Sequence, residues 1–365
     1  MPGKVLVIYG ARRVGKTTLV KKYIEQINNK YLYVTGDDLK VKEYLSSQSI
    51  EKLKAFVGKT NVLIIDEAQY IPKIGLNLKL LVDNINNLKI IATGSSSLEL
   101  AKDVGEPLTG RKFTLKQFAI AQIELSEFES IYKTDENLES RLIYGSYPEV
   151  ITANDNVFRE NYLKELVGSY LFKDILQLED IRNPDKLTRL LQLLAFQIGQ
   201  ESSLQELGSQ LSISKNTVDK YISLLEKVFI IYHRDGFSRN LRNEISKTKR
   251  YYFFDNGIRN ALIQNFNPIS IRNDIGMLWE NYIMSERTKA REYLLKTCNS
   301  YFWRTYKKEE IDLIEEYAGK LNAFEIKWKN KKVKEPSSWK KSYPESTFKI
   351  IHSENYLDFI GTPLT

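Results

Sequence analysis

The segment Gly10–Thr18 reads GARRVGKTT and fits the pattern G-x-x-x-x-G-K-[ST] at every fixed position. It lies between the apolar run Lys4–Tyr9 and a helical pattern over Lys16–Ile27, the strand–loop–helix context in which this pattern binds phosphate. Glycine lets the backbone curl until successive N–H groups point at phosphate oxygens, and the helix adds its positive N-terminal end. These flanking elements disfavour the alternative, a coincidental glycine-rich turn. The sequence therefore predicts a phosphate-binding loop.

Individual residues of this loop have predicted roles at the phosphates. Lys16 would reach the β- and γ-phosphates, and Thr17 would offer its hydroxyl group to Mg²⁺. Arg12 and Arg13 would contact either the nucleotide or a neighbouring subunit. We expect ATP and Mg²⁺ as ligands, with nucleotide contacts from the whole loop: Gly10, Ala11, Arg12, Arg13, Val14, Gly15, Lys16, Thr17 and Thr18.

A second apolar run, Val62–Ile65, ends in Asp66 and Glu67. Asp66 is predicted to hold Mg²⁺ directly or through water, and Glu67 to orient or polarise the attacking water as a general base. An acidic residue directly after the magnesium-binding aspartate favours water as the phosphoryl acceptor, and therefore hydrolysis rather than kinase chemistry. The alternative is an acidic strand end that caps Ala68–Ile71, and the phosphate loop in the same chain makes it the weaker interpretation.

Polar and basic residues further along the chain are candidate sensors of the γ-phosphate. The run Leu88–Ala92 is followed by Thr93 and Ser95, either of which would lie between the two motifs. A serine-rich turn that caps a helix explains these residues equally well. Arg111 is a candidate charge sensor or arginine finger, although an isolated arginine is more often a solvated surface residue.

Short runs rich in valine, isoleucine and leucine alternate with helical patterns in the first part of the chain. Continuous apolar runs of this length are typical of strands buried on both faces of a parallel sheet. The alternation predicts an α/β fold in which a P-loop parallel sheet carries helices on both faces. The runs are Lys4–Tyr9, Tyr31–Val34, Val62–Ile65 and Leu88–Ala92, with a weaker candidate strand at Gln122–Leu125.

Helical periodicity replaces this alternation after about residue 126. We place domain boundaries near residues 126, 190 and 268. They predict a P-loop ATPase core at 1–126, a helical linker or lid at 127–190, a winged helix-turn-helix at 191–267 and a smaller α+β domain at 268–365.

A helix-turn-helix pattern lies in the third of these segments. Ser203 and Glu206 form a capping-box pair that opens one helix, and a second helix is predicted over about Lys215–Val228. The segment Phe229–Phe254 then supplies strands for a wing in which basic and aromatic residues are interleaved. Such a surface suits a nucleic-acid backbone, and a winged helix used for protein packing is an equally supported alternative. The wing residues are Arg234, Arg239, Arg242, Lys247, Lys249 and Arg250 among Tyr232, Phe237, Tyr251 and Tyr252.

Four charged residues in the last segment are spaced for a metal site. Asp312 and Glu325 lie on two strands of a predicted hairpin around Gly319, and Lys327 shares a strand face with Glu325. With Glu280 from an upstream helix, they suit Mg²⁺-dependent phosphodiester hydrolysis. An exposed hairpin with alternating charges explains the spacing as well. A basic run follows, which is either a nucleic-acid contact or a solvated loop: Lys327, Lys329, Lys331, Lys332 and Lys334.

Bulk composition limits the class of protein. The 365 residues carry a formal charge of +8, which is compatible with a nucleic-acid partner but does not require one. The single cysteine, Cys298, cannot form an internal disulfide, so a reducing, cytoplasmic setting is expected. No apolar run approaches the roughly 20 residues that span a bilayer, so we expect no membrane association.

With these motifs, nearly the whole chain resembles a family of prokaryotic AAA-like ATPases. Its members join an N-terminal ATPase to a winged helix and a restriction-endonuclease-like C-terminal domain. The matching motifs are GARRVGKTT at Gly10–Thr18, LIIDEAQ at Leu63–Gln69, TGSS at Thr93–Ser96, LTGR at Leu108–Arg111, GSYPEV at Gly145–Val150, YYFFDNGI at Tyr251–Ile258, and EIDLI with EIKW within Glu310–Trp328.

The resemblance implies nucleotide contacts from the loop, Mg²⁺ coordination by Thr17 and Asp66, and catalysis by Glu67. It implies an oligomer by analogy with ATPases that borrow an arginine from a neighbour. Members usually carry a segment before the first strand that helps to enclose the adenine, whereas this strand begins almost at Met1, so base binding would be incomplete or the start lies upstream. The nuclease-like core that the resemblance implies is Glu280, Asp312, Glu325 and Lys327.

Two functional hypotheses follow. In the first, an ATPase uses its nucleotide state to control the winged helix and the nuclease-like domain, acting on or near nucleic acid. In the second, a nucleotide-dependent switch binds a protein partner, and the nuclease-like domain is not catalytic. A small-molecule kinase is disfavoured by Asp66 and Glu67 together with the winged helix.

Overall fold

The computed structural model describes residues 3–95, 107–171, 181, 183–239 and 248–361. At residues 169–171 it describes only the backbone. They divide into two compact units. The first runs to Ala119 and includes Lys227–Phe229, and the second holds the other described residues from Ile120 onward. Within the described ranges, no helix is long and apolar enough to cross a membrane. Three residues that the motifs single out lie outside the described residues: Ser96, Arg242 and Lys247.

The elements of the first unit alternate as the sequence predicts. They are β1 (Val5–Gly10), α1 (Lys16–Gln26), β2 (Tyr31–Thr35), α2 (Leu39–Leu45), α3 (Ile50–Val57), β3 (Val62–Asp66), a 3-10 turn (Ala68–Tyr70), α4 (Ile74–Asn84), β4 (Lys89–Gly94) and β5 (Lys112–Gln117). The described strands form one parallel sheet in the order β2-β3-β4-β1-β5.

Both faces of this sheet are buried. In β3, Leu63 and Ile65 pack into one core beside α2, α3 and α4, whereas Val62 and Ile64 pack into another beside α1. Because successive strand residues point to opposite faces, a strand covered on both sides requires a continuous apolar run. The predicted parallel α/β sheet is confirmed.

The strand order brings the two phosphate-site motifs to one edge of the sheet. β4 lies between β1 and β3, and the carboxyl ends of parallel strands share the edge at which α/β proteins bind ligands. Gly10 ends β1, Asp66 ends β3, and Thr93 is the next-to-last residue of β4. The sheet therefore collects these three residues at a single site.

The second unit is α+β. Its elements are α5 (Gln122–Leu125), α6 (Ile131–Tyr144), α7 (Pro148–Thr152), α8 (Asn156–Glu165), a π-helical turn (Leu166–Leu171), α9 (Pro184–Phe196), β6 (Glu201–Ser202), α10 (Leu204–Leu211), α11 (Lys215–Lys227), β7 (Ile231–Gly236), β8 (Lys249–Phe253), α12 (Asn256–Leu262), a 3-10 turn (Ile269–Ile271), α13 (Ile275–Tyr293), β9 (Asn299–Arg304), β10 (Glu310–Tyr317), β11 (Lys320–Ile326), α14 (Ser337–Ser342), β12 (Thr347–Ile351) and α15 (Tyr356–Gly361).

One mixed sheet, in the order β12-β11-β10-β9-β7-β8-β6, runs through the described part of this unit. β7 pairs in parallel with β9, at Asp235–Tyr301 and Gly236–Phe302. A two-stranded ribbon alone is marginally stable in water. Pairing with the C-terminal strands therefore stabilises the ribbon of β7 and β8. The boundaries predicted near residues 190 and 268 therefore fall inside one compact unit, whereas the division after Ala119 lies close to the predicted boundary near 126.

The candidate strand at Gln122–Leu125 is wrong, because these residues form the short helix α5. The Glu124 carboxylate accepts a hydrogen bond from the backbone N–H of Ala121 at 2.7 Å, and Ser126 Oγ donates to the Gln122 carbonyl at 2.8 Å. These local bonds satisfy backbone groups at both ends of a single helical turn. They outweigh the weak apolar alternation that suggests a strand.

The motifs GSYPEV and YYFFDNGI meet at the C-terminal end of α6. Gly145 has φ 73° and ψ −158°, a backbone conformation open essentially to glycine alone. A Cβ atom there would lie 2.0 Å from Asp255 Oδ1. The buried Asp255 accepts hydrogen bonds from the backbone N–H groups of Ser146 at 2.7 Å and Ile258 at 3.2 Å. The two motifs therefore join α6 to α12, which is a structural role.

Gly145→Ala is expected to lower the free energy of unfolding of the second unit by roughly 3 kcal/mol or more. The alanine would strain the backbone, and its methyl group would meet the buried carboxylate of Asp255. Denaturant unfolding followed by tryptophan fluorescence measures this, since all four tryptophans belong to the second unit. Gly276→Ala in α13, where a Cβ meets no atom within 4 Å, is the control and should be neutral or slightly stabilising. Equal stabilities of the two variants would contradict this account.

Candidate nucleotide-binding site

The phosphate loop joins β1 to α1, and its two fixed glycines are required by the backbone. A Cβ atom on Gly10 would lie 1.8 Å from the backbone carbonyl oxygen of Gln117 on β5. Gly15 has φ 95°, in the left-handed region, and directly precedes α1. The loop therefore leads into the N-terminus of α1, where unpaired backbone N–H groups favour an anion.

Lys16 lies inside this loop. Its side chain is 5% exposed, and Nζ donates hydrogen bonds to the backbone carbonyls of Gly10 at 2.9 Å and Ala11 at 2.6 Å. These bonds hold the ammonium group against the first residues of the loop, where a phosphate bound to the loop would meet it.

Asp66 is the centre of a hydroxyl network. Its Oδ2 accepts hydrogen bonds from Thr17 Oγ1 at 2.8 Å and from the Tyr33 hydroxyl at 2.9 Å. Its Oδ1 accepts one from Thr93, whose Oγ1 in turn accepts from the backbone N–H of Glu67 at 3.2 Å. Burial, and then the hydrogen bond to Asp66, raises the pKa of Tyr33 to about 12, so Tyr33 stays a donor at neutral pH. Thr17 therefore links the first motif directly to the second, and Thr93 of β4 links the Asp66 carboxylate to the backbone of Glu67.

Glu67 is positioned by a second set of hydrogen bonds, which runs through Gln69 to Ser95. Gln69 Nε2 donates one hydrogen bond to the Glu67 carboxylate and another to Ser95 Oγ at 3.0 Å. The structure thus brings both candidate sensors to the site: Thr93 through Asp66, and Ser95 through Gln69.

The residues present fit ATP and Mg²⁺. Thr17 Oγ1 and the Asp66 carboxylate are neighbouring hard oxygen donors, which Mg²⁺ prefers. The curled loop and the ammonium group of Lys16 suit phosphate oxygens. When bound, Mg²⁺ would neutralise charge on the β- and γ-phosphates.

Arg111 lies at the opposite edge of the sheet, which corrects its predicted role at this site. β5 runs parallel to β1 with Gln117 beside Gly10, so Arg111, six residues before Gln117, is about 20 Å away along the strand. Arg111 Nε lies 2.6 Å from Asp83 Oδ1 in an exposed ion pair. From there it does not reach a nucleotide in the loop of its own chain, and a role at the site of a neighbouring copy stays a prediction.

Arg12 is turned toward the segment that follows Glu67. Its Nη2 donates a hydrogen bond to the Tyr70 hydroxyl at 3.0 Å. Arg13 has φ 63°, which contributes to the curl of the loop. The predicted contacts of both arginines with nucleotide or a neighbour stay predictions.

Sequence reasoning missed Tyr33 and Gln69 as site residues. Tyr33 lies in an apolar run and was expected in the core, and Gln69 follows the acidic pair without a partner that the sequence could identify. Pairing of β2 with β3, which places Thr35 beside Asp66, is what brings Tyr33 within reach. That pairing is not visible in a single sequence.

Gln69→Ala is expected to lower kcat for ATP hydrolysis about five- to tenfold with little change in KM. Gln69 holds the Glu67 carboxylate, so its loss would misplace the group acting on water without removing a contact to ATP. Steady-state phosphate release measures both constants, with Gln26→Ala at the exposed end of α1 as the control. A raised KM at unchanged kcat would contradict a positioning role.

In the second unit, the helix-turn-helix pattern folds as two helices. Ser203 Oγ accepts a hydrogen bond from the Glu206 backbone N–H at 3.1 Å at the start of α10, and Ser212 ends this helix with φ 54°. Ser214 Oγ accepts one from the Thr217 backbone N–H at 3.1 Å at the start of α11. β7 and β8 then pair antiparallel. A DNA-binding role for these elements stays a prediction.

The strands predicted as a wing do not expose their aromatic residues. Their aromatic side chains are buried because β7 and β8 lie inside the seven-stranded sheet. Arg250 is buried as well, and Arg234 Nη2 donates to Thr288 Oγ1 at 2.7 Å. The aromatic residues and Arg250 therefore do not form the predicted surface, whereas Arg239 is exposed, and a nucleic-acid contact of the other basic residues stays a prediction. The buried aromatic residues are Tyr232, Phe237, Tyr251 and Tyr252.

The structure brings together the four charged residues of the C-terminal segment. Lys327 Nζ lies 2.6 Å from Glu325 Oε1 and 3.5 Å from Asp312 Oδ2. Antiparallel pairing of β10 with β11 places Leu313 opposite Phe324, which brings the adjacent Asp312 and Glu325 close together. Glu280 on α13 accepts a hydrogen bond from the Tyr252 hydroxyl at 2.8 Å. The predicted hairpin is confirmed, and we call Glu280, Asp312 and Glu325 the acidic cluster.

Arg250, from β8, also belongs to this group of charges. Its Nη1 lies 3.4 Å from Asp312 Oδ1 and 3.9 Å from Glu280 Oε1. Burial, and then the charge of Asp312, raises the pKa of Glu280, while Arg250 opposes the shift. Among the residues that the structure describes, no three His, Cys, Asp or Glu side chains are arranged to hold a metal ion. The Mg²⁺ site predicted here is therefore not formed by this arrangement.

Comparison with known protein families matches three consecutive parts of the chain. A model described as an AAA domain matches residues 2–128. Two models, each described as a domain of unknown function, match residues 135–269 and 275–357.

Similar proteins occur in bacteria and archaea. An uncharacterized protein of Mycobacterium tuberculosis is 25% identical over 330 residues, which cover 88% of this chain and 70% of the relative. One of Methanocaldococcus jannaschii is 25% identical over 333 residues, covering 86% and 72%. Among solved structures, RuvB of Thermotoga maritima has a TM-score of 0.31 and 16% identity, covering 63% of this chain and 81% of RuvB. A structure of Drosophila ORC bound to AT-rich DNA and Cdc6 has a TM-score of 0.25 and 12% identity, covering 72% and 85%.

The AAA-domain match and the geometry of the loop agree. Residues 2–128 include the phosphate loop, the Asp66 network and the parallel sheet that carries them. The first unit thus has an AAA-type P-loop ATPase fold, which indicates nucleotide binding and hydrolysis.

Proposed function

We propose that this protein hydrolyses ATP with Mg²⁺ and that its nucleotide state controls the second unit, which acts on or near nucleic acid. The observation that carries the proposal is the network from Thr17 through Asp66 and Thr93 to the backbone of Glu67. In this scheme Lys16 binds the phosphates, Thr17 and Asp66 hold Mg²⁺, and Glu67 accepts a proton from the attacking water.

A nucleic-acid partner is supported by charge. The chain carries a formal charge of +8, and cations along a polyphosphate backbone release counterions on binding. The lysines that follow β11 are exposed and close in sequence: Lys329, Lys331, Lys332 and Lys334.

A second candidate function is a nucleotide-dependent switch that binds a protein partner. Two observations favour it. The predicted wing buries its aromatic residues in the sheet, and Arg250 lies within ion-pair distance of Asp312 and Glu280, which a nuclease would need for metal. Under this candidate, ATP hydrolysis proceeds without nucleic acid and the acidic cluster is not catalytic.

Phosphate release from ATP, measured with Mg²⁺ alone and with duplex or single-stranded DNA, separates the two candidates. The first predicts that DNA raises turnover several-fold, and that the rise disappears at high salt because phosphate contacts are screened. An ATP hydrolysis rate that is the same with and without DNA would support the protein-binding switch. Absence of both ATP binding and hydrolysis would overturn both.

A further inference from the structure

Arg250 lies among carboxylates in the interior of the second unit. Its side chain is 6% exposed, and its guanidinium group faces three acidic side chains from two elements, β10 and α13. Nη2 lies 3.0 Å from Glu310 Oε2, and Nη1 lies 3.4 Å from Asp312 and 3.9 Å from Glu280. A buried arginine with this set of partners is a fixed cation rather than a solvated one.

Packing holds this cation in place. The guanidinium carbon lies 4.7 Å from the centre of the Phe302 ring, within the range of a cation–π contact. On β8, Arg250 pairs with Arg234 of β7 on one side and Glu201 of β6 on the other. Its backbone is therefore fixed by two neighbouring strands.

Both oxygens of Asp312, Oε1 of Glu280 and Oε1 of Glu325 already face a hydrogen-bond donor or a cation, whereas the buried Oε2 of Glu325 has no hydrogen-bond partner. Asp312 Oδ2 accepts a hydrogen bond from the backbone N–H of Ile326 at 2.9 Å, and its Oδ1 faces Arg250. Glu280 Oε1 accepts one from Tyr252 and also faces Arg250. Mg²⁺ needs several oxygen ligands at about 2.0–2.1 Å in octahedral geometry, and a guanidinium group between these two carboxylates prevents that. The residues as arranged do not fit a metal ion.

We propose that Arg250 is a resident cation of the acidic cluster, beside Lys327 at Glu325 and Asp312, and that the cluster binds a divalent or trivalent metal ion only when the Arg250 guanidinium group is removed. The positive charge that a nuclease would take from metal is here supplied by the chain itself, from a strand outside the hairpin that carries Asp312 and Glu325. This inference concerns the second unit and does not depend on ATP hydrolysis.

Terbium luminescence sensitised by tryptophan tests the proposal in the full chain without nucleotide. All four tryptophans belong to the second unit, and Trp328 is next to Lys327, so Tb³⁺ at the phosphate loop has no tryptophan in its own unit. Tb³⁺ is a probe for sites that bind hard cations through oxygen. Arg250→Met removes the charge but keeps an apolar stem against Phe302, and Arg250→Lys is the matched control that keeps a cation.

Arg250→Met is expected to bind Tb³⁺ at least roughly tenfold more tightly than the unmodified protein, a difference of about 1.4 kcal/mol. Arg250→Lys should stay close to the unmodified protein. Adding Asp312→Asn to Arg250→Met should abolish the gain. A folded Arg250→Met protein without the gain would overturn the proposal, as would equally tight, Asp312-dependent binding in the unmodified protein.

A second measurement needs no Arg250 variant and covers the case in which Arg250→Met does not fold. Thermal unfolding of the unmodified protein, followed by tryptophan fluorescence, is recorded with and without Mg²⁺ or Mn²⁺ and without nucleotide. A metal ion bound to the folded state would raise the unfolding temperature. We expect no rise, and a rise that Asp312→Asn removes would refute the proposal.

Discussion

Lys16→Ala is expected to abolish ATP binding and to reduce hydrolysis to background. The Lys16 ammonium group lies inside the phosphate loop and hydrogen-bonds the carbonyls of Gly10 and Ala11. Alanine leaves the phosphates without a cation, and loss of one preorganised charge in such a site costs about 10²–10³ in rate even when substrate still binds. Equilibrium binding of a fluorescent ATP analogue and phosphate release measure the two effects.

The control for this variant is Lys22→Ala, which removes an exposed lysine from the same helix. It should leave both binding and turnover unchanged. Circular dichroism of both variants checks that α1 is intact. ATP binding by Lys16→Ala as tight as that of the unmodified protein would mean that the loop does not form the nucleotide site.

Glu67→Gln is expected to lower kcat by about 10²–10⁴ while ATP still binds. Glutamine keeps the shape of the side chain but cannot accept a proton from water. The partners that hold ATP and Mg²⁺ in the proposed scheme, Lys16, Thr17 and Asp66, are untouched. Single-turnover phosphate release and ATP binding, measured side by side, separate the two effects.

Glu25→Gln, at an exposed position of α1, is the matched control for loss of one negative charge. It should hydrolyse ATP at the normal rate. Full turnover by Glu67→Gln would mean that another group accepts the proton from water. Glu67 would then have no catalytic role and would only follow the end of β3. The pair Lys16→Ala and Glu67→Gln thus distinguishes loss of binding from loss of chemistry.

Much of the nucleotide site is predictable because its parts are local. The phosphate loop is contiguous, and its glycines, Lys16 and Thr17 depend on the strand before it and the helix after it. Asp66 and Glu67 follow an apolar run whose burial on both faces is confirmed. Convergence of these parts also follows from the sequence, since carboxyl ends of parallel strands share one edge.

Other features depend on which strands become neighbours. Tyr33 reaches Asp66 because β2 pairs with β3, and Arg111 lies far from the loop because β5 runs parallel to β1. Gln122–Leu125 has a different cause, because local hydrogen bonds that involve Ala121 and Ser126 favour a helix over a strand. Periodicity alone does not contain this information.

The sequence by itself determined the phosphate loop, the acidic strand end and the hairpin that carries Asp312 and Glu325, because each depends on residues close together in the chain. Only the tertiary structure decided that β7 joins β9, that the predicted wing buries its aromatic residues, and that Arg250 enters the acidic cluster. These three features depend on strand pairing between distant parts of the chain and on burial of apolar surface that those parts share. Local sequence patterns predict the same parts as separate domains.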